Sequence, residues 1–400
     1  MRLTKESAIA HRLCRLNRIA IVAALQVLAI GCGGRAQTNA PPPDAAPEVT
    51  SCDSSPCVRE LAVGTGQVCA RLDDGSVRCW GANFHGQAGV DSSEAVTRPT
   101  TLRLTARAQK LRAGAQTSCA FAAGQVWCWG ANSAPGNWND QKSHAIPSLI
   151  PNPDIVDIGL GQDVLCTLSK EGQVACRGDN SYGNLGLADG AADAADWTPI
   201  PELSASALSV GYGAACATQH VGNVSCWGDN RRLLIGREET SGPAIAMPRT
   251  VPELTGFEEL VLSQSLACGV DSKQRVRCWG INFDAGPSPV WPPNPIAGGE
   301  GLSRLSINDS ACALDHDDNV HCWGSNQGAQ LGSGKADDRL HPMPTLVEGL
   351  SSIASIAVGF NFACALSRTG HVLCWGANDW GQLGIGQTDK EFHTPTEVRW

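Results

Sequence analysis

Only 30 lysines and arginines occur in 400 residues, and they form no cluster that could follow a phosphate backbone, which excludes nucleic acid as a partner. Tyrosine is scarcer still. With Tyr182 and Tyr212 alone, and no arginine cluster for a substrate carboxylate, sialidase-type hydrolysis lacks its nucleophile and its anchor. The apolar run 19–30, interrupted by Gln26, is too short for a membrane span of about 20 residues. No Gly-x-Ser-x-Gly elbow, phosphate loop or dinucleotide fingerprint occurs. No histidine pair stands with a nearby carboxylate at metal-binding spacing, and Asp189, Asp193 and Asp196 lack the alternating oxygens and turn glycine of a calcium loop. The chain therefore reads as a non-enzyme with no cofactor and no metal.

What is abundant is turn and strand material. Gly 44 and Pro 23 punctuate the chain, and 12 Trp outnumber Phe and Tyr together, a balance that suits many short strands in one large all-β domain. Residues 1–31 read as a signal peptide, with Arg2, Lys5, Arg12, Arg15 and Arg18 ahead of the apolar run. Leu28-Ala29-Ile30-Gly31-Cys32 resembles the lipobox of bacterial lipoproteins, although that family prefers a branched residue where Ala29 stands. The resemblance implies lipid attachment at Cys32, and an ordinary secretory signal is the other reading. Residues 32–57, with Pro41-Pro42-Pro43 and Pro47, read as a tether, and 58–400 as the folded domain. Loss of 1–31 removes five basic residues and one acidic residue, taking the formal charge from −9 to −13.

Cysteines disclose a repeat. Cys69 and Cys79, Cys119 and Cys128, Cys166 and Cys176, Cys216 and Cys226, Cys268 and Cys278, Cys312 and Cys322, and Cys364 and Cys374 form pairs that recur every ~50 residues, within the range of propeller blades. Gly stands five residues before the first Cys in five units, with Ser263 and Ile307 as the departures. Trp follows the second Cys in six, Arg177 replacing it in the third. Gly and Asn occur two and four residues after the second Cys in all seven, as do Gly81 and Asn83 in the first unit and Gly376 and Asn378 in the last.

The last unit shows what the spacing does. Cys364-Ala365-Leu366 and Val372-Leu373-Cys374 flank a glycine-bearing turn, and folding the hairpin about Thr369 sets Cys364 opposite Cys374 and Leu366 opposite Val372. Directly opposed Cα atoms about 4.5 Å apart can be bridged, so each unit can staple its own hairpin with a disulfide. A structural zinc wants four ligands with cysteines two to four apart, which the spacing does not offer, and an exported chain is oxidised. Cys52 and Cys57 remain for a small clasp at the domain entrance, which leaves Cys32 for lipid.

The repeat resembles that of the regulator of chromosome condensation, whose strand ends in Trp-Gly-x-Asn-x-x-Gly-Gln-Leu-Gly. Residues 375–384 match it best, and Ala329-Gln330-Leu331-Gly332, Gly183-Asn184-Leu185-Gly186 and Gly86-Gln87-Ala88-Gly89 repeat its end. The resemblance implies a seven-bladed β-propeller of four-stranded antiparallel blades, with Trp80, Trp129, Trp227, Trp279, Trp323 and Trp375 filling space between blades. Nuclear members act as nucleotide exchange factors for a small GTPase, a partner an exported chain does not meet. Other exported propellers of this general type bind proteins, β-lactamase inhibitors included.

Function is expected where the repeat breaks: at 133–147, 187–199, 231–252 and 283–299, with Trp138, Trp197 and Trp291 as candidate binding residues that could equally pack on their own blades. The expected protein is a monomeric scaffold, exported to a bacterial cell envelope or secreted, touching a membrane only through its lipid. Its partner is expected to be a protein. The alternative is a carbohydrate-binding or carbohydrate-degrading propeller, since Asp73-Asp74-Gly75-Ser76 loosely resembles the structural Asp-box turns of sialidases.

Overall fold

A computed structural model of the chain describes residues 49–53, 55–131, 144–151, 154–162, 164–188, 190–236, 244–281, 288–388 and 390–400. The signal segment 1–31, Cys32 and Trp138 lie outside them. Seven four-stranded antiparallel sheets follow one another along the chain, each made of four consecutive strands, and together they form a seven-bladed β-propeller. In the first blade the strands are Val58–Val63, Gln67–Leu72, Val77–Gly81 and Val96–Thr101; in the seventh they are Ile353–Val358, Phe362–Ser367, Val372–Gly376 and Phe392–Glu397. Among the described residues the only helical element is the short 3₁₀ turn Pro252–Leu254.

Radial position follows from burial. Second and third strands are apolar on both faces, as a strand between two packed blades must be: Phe362–Ser367 is buried throughout. Fourth strands are outermost, half-exposed, and unpaired on one edge. Six of them contain proline, for example Pro99, Pro248 and Pro395, and Pro147 immediately precedes the seventh, Ser148–Ile150. Proline cannot donate to a ladder, so it is tolerated at such an edge and protects it from pairing with another chain.

The cysteine pairs lie directly across the second and third strands of every blade, and each is a disulfide within its own hairpin. Cys69 is bonded to Cys79, Cys119 to Cys128, Cys166 to Cys176 and Cys216 to Cys226. In the remaining blades Cys268 is bonded to Cys278, Cys312 to Cys322 and Cys364 to Cys374. All seven have Cα atoms 4.1 Å apart, and in the last blade Leu366 faces Val372 as the hairpin register requires. Cys52 and Cys57 form an eighth disulfide.

Gly376 ends its strand at φ 104°, where an added Cβ would lie 2.5 Å from the Asn361 carbonyl oxygen, so the glycine after each Trp is a backbone requirement. First strands surround the channel. There a Cβ on Gly64 would meet the Gly114 carbonyl oxygen at 2.0 Å, which is why the repeat keeps glycine at that step.

The ring closes without exchange of a strand between first and last blades. Instead the Thr50 and Ser51 amides donate to the Arg368 carbonyl (2.9 and 3.2 Å) and the Asp53 amide to that of Thr369 (3.1 Å). Val49 is buried, and Trp400 meets Trp80 edge-on at 5.8 Å between ring centres. The packed region thus reaches back to Val49, into the stretch assigned to the tether on sequence. Val49 can do this because its apolar side chain enters the core shared by blades 1 and 7.

Candidate binding face

In a meander of four strands, the connections from first to second and from third to fourth open at one pole, and those from second to third and from blade to blade at the other. Of the four segments that break the repeat, 133–147 ends where a fourth strand begins, whereas 187–199, 231–252 and 283–299 extend into or through the fourth strands Ala194–Ser204, Ala244–Thr250 and Val290–Glu300. The pole at which third strands end and fourth strands begin is called here the loop pole. The opposite turn pole carries tight hairpin turns such as that at Ser367–Gly370, whose hydroxyl and carbonyl groups are used locally: the Ser367 hydroxyl accepts from the Thr369 and His371 amides at 3.3 and 3.0 Å. The Asp-box-like turn is of this kind, Asp74 accepting from the Ser76 amide at 2.8 Å.

At the loop pole the repeat motif becomes a hydrogen-bond device. Each described motif asparagine accepts with Oδ1 from the amide five residues on, as Asn378 does from Leu383 (3.1 Å), Asn180 from Leu185 (3.0 Å) and Asn230 from Ile235 (2.9 Å). Its Nδ2 donates to a carbonyl further along, Gln387 for Asn378 (2.9 Å). Motif glutamines Gln87, Gln330 and Gln382 accept with Oε1 from the amide two residues before, each at 2.8 Å.

The carbonyl at that motif position then receives the indole N–H of the next blade. Trp129 donates to Gln87 (3.0 Å), Trp227 to Asn184 (3.1 Å), Trp279 to Leu234 (2.9 Å), Trp375 to Gln330 (2.8 Å) and Trp80, across the ring junction, to Gln382 (2.9 Å). All six repeat tryptophans are fully buried, and these five join neighbouring blades by packing and by a donor together. Repeat spacing could mark these tryptophans as architecture, but their acceptors are backbone oxygens, which carry no signature in a sequence.

Arg177, in the tryptophan position of blade 3, is buried with its guanidinium 4.7 Å from the ring centre of Trp197. Burial holds its pKa down to about 10, with Asp196 opposing. Trp197 therefore covers a buried cation from its place in the strand Ala194–Ser204. Trp291 lies in Val290–Glu300, half-buried, 6.3 Å from the ring of Trp279 at 82°. Neither is a loop anchor. Both lie on outer strands whose prolines give them the sequence character of loops.

A cavity of about 390 Å³ opens at the loop pole across blades 3, 4 and 5. Blade 3 contributes Asp179, Tyr182, Asn184 and Asp193, and blade 4 contributes Tyr212, Asp229 and Arg231, so both tyrosines of the chain stand there. Arg231 sits 4.0 Å above the Tyr182 ring centre, donates to its hydroxyl at 3.1 Å, and grips Asp229 at 2.7 Å. Desolvation works to raise the Asp229 pKa, but the bonds and charge of Arg231 outweigh it and hold that carboxyl below its ordinary value. The Tyr212 hydroxyl shares a 2.9 Å hydrogen bond with Thr65 of blade 1. A smaller space of about 120 Å³, lined by Gly64, Gly114 and Gly211, marks the channel itself.

On the other side of the same pole, Phe84 and Phe360 are about half exposed, and Phe84 meets Trp380 edge-on at 6.1 Å. Among the described residues only Cys52, Cys57 and Asp73 are grouped closely enough to share an ion, and the two sulfurs are bonded to each other.

Two models of the regulator of chromosome condensation (RCC1) repeat match the chain, one at residues 58–87 and 353–382, the other at 317–366 and 369–400. Protein pim1 of Schizosaccharomyces pombe is 24% identical over 291 residues, covering 70% of this chain and 47% of that one, so the chain spans about half the length of that relative. Prp20p from Saccharomyces cerevisiae superposes with a TM-score of 0.70 at 17% identity, over 86% of this chain and 87% of that one. Human WBSCR16 gives 0.69 at 18%, over 81% and 95%. Repeat and architecture together make the chain similar to proteins built on the regulator of chromosome condensation (RCC1) repeat, in its seven-bladed propeller form.

Proposed function

We propose that the protein is a non-enzymatic binding scaffold, exported and either held at a bacterial cell envelope through a lipid on Cys32 or secreted, that offers its loop pole to a protein partner. The carrying observation is polarity. Residues 49–53 enter beside Arg368 and Thr369 at the turn pole, while the cavity and the Phe84–Trp380 aromatics belong to the loop pole. A tether attached where the chain enters leaves the loop pole free to meet a partner.

Eight disulfides support the compartment, since such bonds form and persist in oxidising surroundings. Among the described residues no helix is long and apolar enough to cross a membrane. Protein capture has a precedent in fold: Prp20p is described by its binding to Gsp1p and histones.

The test is capture with the immobilised protein against envelope and culture-fluid extracts, alongside a glycan array. Enrichment of one protein, lost when Phe84 and Phe360 are both changed to Ser, is the expected result. Glycan binding without protein capture would favour the carbohydrate reading instead. Incorporation of labelled fatty acid, abolished by Cys32→Ala, tests the anchor separately.

A further inference from the structure

Resting on the scaffold reading, we propose that the cavity between blades 3, 4 and 5 receives a lysine or arginine side chain of the partner protein. Three groups in it lack what such a side chain brings. Asp179 accepts only from the Ser181 amide and hydroxyl (2.9 and 2.7 Å), and Asp193 only from the Asn180 amide (2.8 Å). Neither takes part in an ion pair among the described residues, whereas Asp229 is neutralised by Arg231.

The third group is Asn184. It occupies the motif position of Gln87, Gln330 and Gln382, whose Oε1 atoms close back on the amide two residues earlier. One methylene shorter, Asn184 does not make that bond. The residue is 3% exposed, lines the cavity, and its Oδ1 has no donor. A buried acceptor without a donor is the exception in folded proteins and calls for a group that supplies one.

The character of the site selects among ligands. Unpaired carboxylates repel an anion. Arg232, the remaining cation of the lining, is held by the Gln264 carbonyl at 3.0 Å toward blade 5, which directs an incoming positive charge to the carboxylates of blade 3. A metal ion would want a tighter set of carboxylates than Asp179 and Asp193 provide. An ammonium or guanidinium group satisfies both carboxylates and the amide oxygen with directed N–H donors.

The test is titration calorimetry of the whole protein with trilysine, fully acetylated trilysine and spermidine, and capture of the partner by the same variants. Expected are binding of trilysine and not of its acetylated form, and at least tenfold weaker binding in Asn184→Gln, where the longer amide reaches the Tyr182 amide and closes the site. The double variant Asp179→Asn with Asp193→Asn should weaken it as much, while melting temperature in Asn184→Gln is unchanged or raised. Equal binding by Asn184→Gln, or by the acetylated peptide, overturns the site. Spermidine binding without trilysine binding overturns the protein source. If a partner is captured and Asn184→Gln retains it fully, the scaffold stands and the cavity assignment falls. If trilysine behaves as expected and no protein is captured, the scaffold falls.

Discussion

Removing the side-chain amide of Asn378 strands the Leu383 amide and the Gln387 carbonyl in a loop where the asparagine itself is 1% exposed. Buried groups left without partners cost about 1–3 kcal/mol each, so Asn378→Ala should lower the unfolding free energy by roughly 2–4 kcal/mol in a denaturant titration. Glu259 offers a test with pH. It accepts from the Leu305 and Arg304 amides of the next blade (2.5 and 2.8 Å), yet desolvation outweighs those bonds and the Arg304 charge and pushes its pKa from 4.5 up to about 7. The folded state therefore holds a proton that the unfolded chain releases near pH 4.5. This contribution is fully present below that pH and is lost as pH rises through about 7. Denaturation midpoints at about pH 5 and about pH 8, on either side of that transition, should differ less in Glu259→Gln than in the parent protein. An unchanged difference would mean that Glu259 does not titrate in this way. The motif asparagines are visible in the sequence as a periodicity, but their work is not, because the amide each Oδ1 accepts from and the carbonyl each Nδ2 donates to are main-chain groups.

Hairpins are where sequence and structure agree in detail, since constant index sums along an antiparallel ladder fix the partner of every residue once the turn is placed. Cys364 against Cys374 and Leu366 against Val372 follow from folding the turn about Thr369, and the same arithmetic sets Cys69 against Cys79 and Cys268 against Cys278. Outer strands are the opposite case. Ala194–Ser204 and Val290–Glu300 contain Pro199, Pro201, Pro292, Pro293 and Pro295, and proline-rich polar sequence signals a loop unless an edge is already known to be there. Each staple closes a short loop, so Cys364→Ala combined with Cys374→Ala should cost somewhat under ~3 kcal/mol by chain entropy, measurable as a shift in urea midpoint. Trp375→Phe keeps most of the packing and deletes the donor to Gln330. A loss of about 1–3 kcal/mol is expected, against about 3–5 for Trp375→Ala. No measurable loss in Trp375→Phe, with the full loss appearing only in Trp375→Ala, would show that the interblade hydrogen bond contributes nothing beyond volume.

At the scale of the molecule, the number of blades is legible from seven cysteine pairs, but the closure is not. Nothing in a repeat says which two units meet, and the residues that join them, Val49, Arg368 and Trp400, stand outside the repeat pattern or vary within it. Trp400 packs on Trp80 and under the Arg78 guanidinium, 5.8 Å from each by ring centre. Trp400→Ala should therefore lower the melting temperature and raise amide exchange first in blades 1 and 7, while the blades opposite keep their protection. Uniform acceleration around the ring would indicate that the junction has no separate identity.

No strand is shared across that junction, so blades 1 and 7 meet by packing and hydrogen bonds alone. Both ends of the propeller sit at the turn pole beside the same two blades, and every disulfide of the ring is internal to a blade. A gene recut between blades 3 and 4, with the original ends joined by a short linker, encodes the same seven stapled sheets in rotated order and should yield a circularly permuted protein with the same architecture. In such a permutant the exit of the chain moves to the blades beside the cavity but remains at the turn pole, so the loop pole keeps facing outward. The orientation of the scaffold is thus a property of the meander and independent of the blade at which the chain happens to begin.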